Sequence, residues 1–225
     1  LPLLPLLPLC YNSLTMPNLT LGPKVRNPLH LHDKKLKQLE EKAFAIREDV
    51  VKMLVEAGSG HSAGPLGMAD IFTALYFHIL VHDPKRPDCK DRDRLILSNG
   101  HICPIRYATM AHAEYFPKEA LKTLRKFGSP LQGHPEREKL AGAETTSGPL
   151  GSGSSQAVGM AYVGLLDRAP WRVYCVMSDG ELECGQTWEA MLFAGRNKLY
   201  NCTFIIDRNN IQIDGRTEDV MPMNP

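Results

Sequence analysis

The sequence predicts an α/β fold, a doubly wound and mainly parallel sheet with helices on both faces. Two observations carry that prediction. Short apolar runs of strand type, Arg94 to Ser98, Val173 to Met177 and Cys202 to Ile206, alternate with stretches whose apolar residues recur at helical spacing. The runs end in the polar turns Asn99-Gly100-His101, Ser178-Asp179-Gly180 and the Asn-rich turn at Asn209, at the strand edge where open α/β sheets bind ligands. A right-handed strand-helix-strand connection between the last two runs then brings the turn at Asp179 beside the turn at Asn209.

A chain of 225 residues with 43% hydrophobic content can bury one sizeable core, and its net charge of +1 offers no bulk attraction to nucleic acid or membrane. Six cysteines form no CxxC pair, and Cys175 and Cys202 lie in strand patterns where a free thiol acts as a small hydrophobe. A reducing, cytoplasmic location without structural zinc is expected. The opening LPLLPLLPLCYNSLT is interrupted by Pro2, Pro5 and Pro8, has no basic start and is too short to span a bilayer. Residues 1–16 are therefore expected to be an unstructured or spurious leader, and 17–225 one domain. Because the sequence stops at Met223-Asn224-Pro225, just after a turn where such a sheet would continue, that domain is expected to be incomplete at its carboxyl end.

Taken in order, Asp33 is the expected N-cap of a helix whose stripe is Leu36, Leu39, Ala43, Ile46, Val50 and Leu54, closing at Gly58. Gly58 to Gly67, GSGHSAGPLG, is too rich in glycine for helix interior and reads as a loop that lets backbone approach a ligand. An apolar helix follows from Met68 to Leu80, with His78 and His82 read as surface residues for want of a third metal ligand nearby. After the strand at Arg94, a helix is expected over Pro104 to Ala113, on which Arg106 is out of place among apolar neighbours. Pro117 to Phe127 reads as an amphipathic helix with proline at its start. Gly128 to Pro149 has little periodicity, and loops of this length inside a domain are commonly functional. Ser154 to Leu166 is a helix in which Gly159 and Ala161 permit close packing on the sheet. Leu182 to Leu199 is another, its stripe formed by Trp188, Met191, Leu192, Gly195 and Leu199.

The paired turns have chemical content. The Asp179 carboxylate and an Asn209 amide oxygen are hard donors of the kind Mg²⁺ takes beside phosphate oxygens and water. Either turn alone is an ordinary loop former. Together, Asp-Gly, about thirty residues and then Asn resemble the thiamine diphosphate signature. GELECGQTWEA, IIDRNNIQIDG and RTEDVMP further resemble the amino-terminal subunit of a split transketolase, and the likeness covers roughly Leu36 to Pro225.

That resemblance implies a thiamine diphosphate-binding fold and a set of roles. Asp179, Asn209 and the Ile211 carbonyl would hold Mg²⁺, with Ca²⁺ or Mn²⁺ able to substitute, and Gly180 would lie against the diphosphate. His61, in the Gly-His loop, and His134, in Gly133-His134-Pro135, would face the substrate, His101 would meet both substrate and cofactor phosphate, and the three would be the catalytic oxyanion stabilisers and proton carriers. The Gly148 carbonyl would reach the aminopyrimidine, and Leu150 would pack on the cofactor. The implied activity is transfer of a two-carbon ketol unit between sugar phosphates in the pentose phosphate pathway. A partner chain would supply the pyrimidine-binding half, in a dimer of heterodimers with no nucleic acid or membrane involved. Two departures stand out: Ser178 where the family has Gly, and Cys184 where it has a Glu at the dimer interface. Two alternatives remain at this point, another enzyme of the superfamily such as deoxyxylulose-phosphate synthase, and a cofactor-binding chain without activity.

Overall fold

The computed structural model describes residues 31–213 and 215–223. The expected leader, residues 1–16, lies outside them. Helix α1 (Asp33–Ala57) opens the described fold. His32, not Asp33, is its N-cap, and Asp33 stands in the first turn where the helix dipole favours a negative charge. Leu39, Ala43, Ile46, Val50 and Met53 are its buried positions, whereas Leu36 is largely exposed. Gly58 ends it with φ of 62°, the left-handed conformation in which glycine has no Cβ to clash.

The Gly58 to Gly67 segment is less of a loop than its composition suggests, since its second half closes into α2 (Ala63–Gly67). The expected helix from Met68 divides into α3 (Ala69–Ala74) and a π-helical turn at Leu75–Ile79. His82 is not a surface residue: it is half-buried, with ring nitrogens on the Tyr76 carbonyl (2.7 Å) and the Tyr115 hydroxyl (3.0 Å).

Strands β1 (Arg94–Leu97), β2 (Val173–Ser178) and β3 (Cys202–Asp207) form a wholly parallel sheet in the order β1-β2-β3. Between β1 and β2 come α4 (Cys103–His112) and α5 (Ser152–Leu166), and α6 (Gly185–Arg196) carries the chain from β2 to β3. Because side chains alternate along a strand, the sheet sends Leu95, Leu97, Tyr174 and Val176 into one core with α1, α3 and α4. Ile96, Val173 and Cys175 enter a second core with Ala157, Val158 and Ala161 of α5 and Ala190 of α6. Helices on both faces of a parallel sheet are thus present. A two-stranded antiparallel ribbon, β4 (Ile211–Gln212) with β5 (Gly215–Arg216), and α7 (Thr217–Val220) follow β3.

Three expectations change in detail. Only a 3₁₀ turn, Lys118–Thr123, forms where the amphipathic helix was expected over Pro117 to Phe127. Gly159 faces open space, and the close approaches belong to its neighbours: a Cβ at Gly153 would lie 2.5 Å from the Ser98 Cβ, and one at Gly164 2.6 Å from the Trp171 ring. In α6 the buried residues are Thr187 and Ala190, while Trp188 and Leu192 point outward. Among the described residues no helix is long and apolar enough to cross a membrane.

Candidate active site

The three polar turns meet along the carboxyl edge of the sheet. β2 runs straight into Asp179, which opens a 3₁₀ turn (Asp179–Glu183) and is fully buried. Its carboxylate accepts the Gly180 N–H at 3.1 Å and reaches across to the Asn210 N–H at 2.6 Å, so the Asp179 and Asn209 turns are joined directly. Asn210 takes φ of 61° to present that N–H. Asn209 folds its own side-chain oxygen onto the Ile211 N–H at 2.9 Å. Asp179 makes no ion pair among the described residues. A fully buried carboxylate bonded only by two backbone N–H groups is a donor set that a divalent cation would complete, and the residues present fit one.

The histidines also converge. His61, from the loop before α2, and His101, in the 3₁₀ turn Gly100–Ile102 after β1, stand with ring centroids 4.8 Å apart, edge to face. His134 is close enough that each of the other two affects it or is affected by it. Burial, then the neighbouring His61 and His134, push the His101 pKa down from 6.5 to about 4. Burial, His61 and Arg125 lower that of His134. His101 is therefore neutral near pH 7, a hydrogen-bonding group and not the proton carrier that an unperturbed imidazole would be.

Gly100 explains how the histidine turn lies against the loop bearing Gly148. A Cβ there would collide with the Ser147 Oγ and lie 3.2 Å from the Gly148 nitrogen. At Gly148 itself a Cβ would project into open space. The loop then passes Leu150, whose carbonyl accepts from the Gln186 side chain at 2.9 Å, and enters α5 through Gly151 with φ of 81°. Of the expected site residues, His61, His101 and His134 form one group, Gly148 and Leu150 lie on the loop against the His101 turn, and Asp179, Gly180 and Asn209 form the joined turns, with Ile211 on β4.

Residues 39–223 match the family model described as transketolase, thiamine diphosphate binding domain. The chain belongs to the transketolase family. It is 40% identical over 187 residues to a 6-deoxy-6-sulfo-D-fructose transketolase subunit from Clostridium sp. (strain MSTE9), covering 83% of this chain and 68% of that protein. It is 39% identical over 185 residues to an apulose-4-phosphate transketolase subunit from Phocaeicola vulgatus, covering 82% and 66%. Human transketolase is 40% identical over 178 residues, and this chain spans 28% of its length. A solved transketolase from Pichia stipitis superposes with a TM-score of 0.78 at 35% identity, over 83% of this chain and 29% of that one. Thiamine diphosphate is the cofactor of the domain matched, and the relatives favour transketolase over the other superfamily reading.

Within this transketolase domain the two departures read differently. Ser178 has ordinary extended angles (φ −100°, ψ 164°) and is used: it makes a capping box in which its hydroxyl accepts the Glu181 N–H and the Glu181 carboxylate accepts the Ser178 N–H. Cys184 is the N-cap of α6, and a Cβ on Gly151 would lie 3.0 Å from the Cys184 Cβ, so it sits directly behind the Gly148 to Gly151 loop. Burial, Glu181 and Glu183 raise its thiol pKa.

Sequence reading missed Glu181 and Asn99. Glu181 is fully buried, with burial raising its pKa against three hydrogen bonds that lower it. Asn99 is fully buried, and neither its amide atoms nor the Oγ of buried Ser147 finds a hydrogen-bond partner among the described residues. Asparagines in turns and glutamates are common, and no local pattern separates these two from the rest. Arg106 is buried on α4, where one guanidinium nitrogen donates to the Gly142 carbonyl at 2.9 Å while Nε and Nη1 find no acceptor among the described residues.

Proposed function

We propose that this chain is the diphosphate-binding half of a two-subunit transketolase, which with its partner moves a two-carbon ketol unit from a ketose phosphate to an aldose phosphate. The observation that carries the proposal is the junction of the two turns, in which a fully buried Asp179, without a counter-cation among the described residues, bonds the Asn210 backbone. Asp179, the Asn209 side-chain oxygen and the Ile211 carbonyl would hold Mg²⁺, with Ca²⁺ or Mn²⁺ able to replace it, and Gly180 would lie along the diphosphate. When bound, the cofactor supplies the electron sink that allows a ketose carbon–carbon bond to break.

The remaining steps belong to the chain. His101 would hydrogen-bond the diphosphate and a sugar oxygen. His61 and His134, on exposed loops at the mouth, would orient sugar hydroxyls and pass the proton released or taken up at the substrate carbonyl oxygen. The Gly148 carbonyl would receive the aminopyrimidine, and Leu150 would keep water from the ring. A carboxyl-terminal pyrimidine-binding subunit would complete the site, in a dimer of heterodimers working in the cytoplasm on pentose phosphate exchange.

The test is a titration of thiamine diphosphate into the chain and into its complex with the partner, with Mg²⁺ or with chelator. Binding is expected only with the cation, because a metal bridges two like-charged groups, and Asp179→Ala is expected to lose it. Equal affinity with and without metal, or unaltered affinity in Asp179→Ala, would remove the assignment.

A further inference from the structure

One buried side chain that the proposed chemistry does not employ joins three of the loops of the site. The Glu181 carboxylate accepts the Ser98 hydroxyl and the Gly151 N–H (2.7 Å) on one oxygen, and the Ser178 N–H (2.9 Å) on the other. Ser98 in turn accepts the Gly153 N–H at 3.1 Å, which extends the same network into the first turn of α5. A capping box needs only the Ser178 contact. The other oxygen serves segments 83 and 30 residues away in sequence, at the end of β1 and at the start of α5. Its backbone is held as well, since the Glu181 carbonyl accepts from the Thr187 hydroxyl at 2.9 Å and the Cys184 N–H at 3.0 Å.

Each anchored residue stands close to a site residue. Ser98 is three residues before His101, Gly151 follows Leu150, and Ser178 precedes Asp179. We propose that Glu181 is a positioning residue, one carboxylate that sets the mutual register of the His101 turn, the Gly148 to Leu150 loop and the Asp179 turn. All three partners are donors, so an acceptor-only carboxylate matches them, whereas an amide would turn its NH₂ towards at least one N–H. The consequence for cofactor binding rests on the function proposed above; the link between the loops does not.

The experiment compares amide hydrogen exchange in the full-length parent, Glu181→Gln and Ser98→Ala, followed by thiamine diphosphate titration with Mg²⁺. Glu181→Gln is expected to speed exchange together in residues 98–102, 148–153 and 178–181, leaving α1 and α4 at parental rates. Ser98→Ala removes the strut to β1 only, and should speed the first two segments while sparing 178–181. Cofactor affinity should fall about tenfold in Glu181→Gln, the scale of one buried donor left unpaired. Unchanged exchange in Glu181→Gln, or an even acceleration over every element, overturns the proposal. Should that variant not fold, Ser98→Ala decides: the paired response supports the link, and no response or a uniform one refutes it. A parent that fails to bind thiamine diphosphate removes the proposed function, and the exchange pattern still decides the role of Glu181.

Discussion

His101 shows how far a residue can depart from its reference chemistry without a charged partner. It is half-buried beside His61 and within reach of His134, so its protonated form loses hydration and meets other imidazoles. With a folded pKa of about 4 against 6.5, the unfolded chain binds the proton first as the solution is acidified. Its contribution to stability is therefore undiminished above pH 6.5, falls as the pH drops towards about 4 and then levels off. Urea midpoints measured between pH 7.5 and 4 should follow that course, and His101→Gln should flatten it; equal slopes in the two proteins would mean that other groups govern acid sensitivity. Cys184 poses a different question. A thiol whose pKa is raised stays protonated near neutral pH and cannot accept a proton as the Glu that the family resemblance puts at this position could. The helix dipole at the α6 N-cap favours a carboxylate while burial, Glu181 and Glu183 oppose one, so Cys184→Glu would place a carboxyl of raised pKa there. In the reconstituted complex that variant is expected to raise turnover roughly tenfold and to strengthen the association of the two chains, with cofactor affinity changing less. No change, or a loss, in both turnover and association would show that the carboxylate has no function in this protein.

At the scale of elements, the long segment from Gly128 to Pro149 carries His134 and Gly148 yet has no helix or strand to define its path. Its position is set by side chains from elsewhere. Glu144, nearly buried, takes two bonds from the guanidinium of Arg92 just before β1, and Arg94 lies 4.0 Å from the same carboxylate. Arg106 grips the Gly142 carbonyl, and the Cys103 thiol and Tyr107 hydroxyl of α4 meet the Gly133 carbonyl (3.2 Å) and the Gln132 carbonyl (2.8 Å). Removing one partner of a buried ion pair strands the other charge, so Glu144→Gln should cost about 3 kcal/mol of unfolding free energy. Chemical denaturation checks this; a loss below about 1 kcal/mol, the range of exposed pairs, would mean that the loop does not depend on the clamp. The composition of this segment marks it as a loop. Its anchoring was not legible, because Arg92 and Glu144 are 52 residues apart and neither belongs to a recognisable pattern.

For the whole molecule, the informative feature is the side of α5 and α6 turned away from the sheet. Tyr162, Val163 and Leu166 on α5 and Trp188, Leu192 and Phe193 on α6 are all exposed, with Leu192 at 73%, and Tyr162 meets Phe193 edge to face at 5.4 Å. Clustered apolar side chains of this kind mark interaction surfaces on soluble proteins. The same helix begins at Cys184, where the family resemblance places the dimer interface, so the occupant expected in the proposed dimer of heterodimers is a second copy of this chain. Trp188→Asp combined with Leu192→Asp should halve the mass of the reconstituted assembly in sedimentation while leaving the circular dichroism of the chain unchanged. An unaltered mass would place the contact between copies elsewhere.

The three strands of the parallel sheet, the helices α1, α4, α5 and α6 between and before them, the positions of the turns at Asp179 and Asn209, and the family were legible in the sequence. These depend on local facts: apolar period, turn-forming residues, and short motifs whose spacing is preserved along the chain. The existence of α6 was likewise clear from its spacing, but which side of it is buried was not, since Trp188 and Leu192 satisfy helical periodicity whether they face the sheet or a partner. Gly153 and Gly159 are equally small, and only the approach of Ser98 distinguishes the one that must be. The neutral state of His101, the clamp on the Gly128 to Pro149 segment and the three bonds on Glu181 were decided by tertiary structure. Each depends on which groups, dozens of residues distant, exclude water from a side chain and supply its hydrogen bonds, and that information resides in packing rather than in any stretch of sequence.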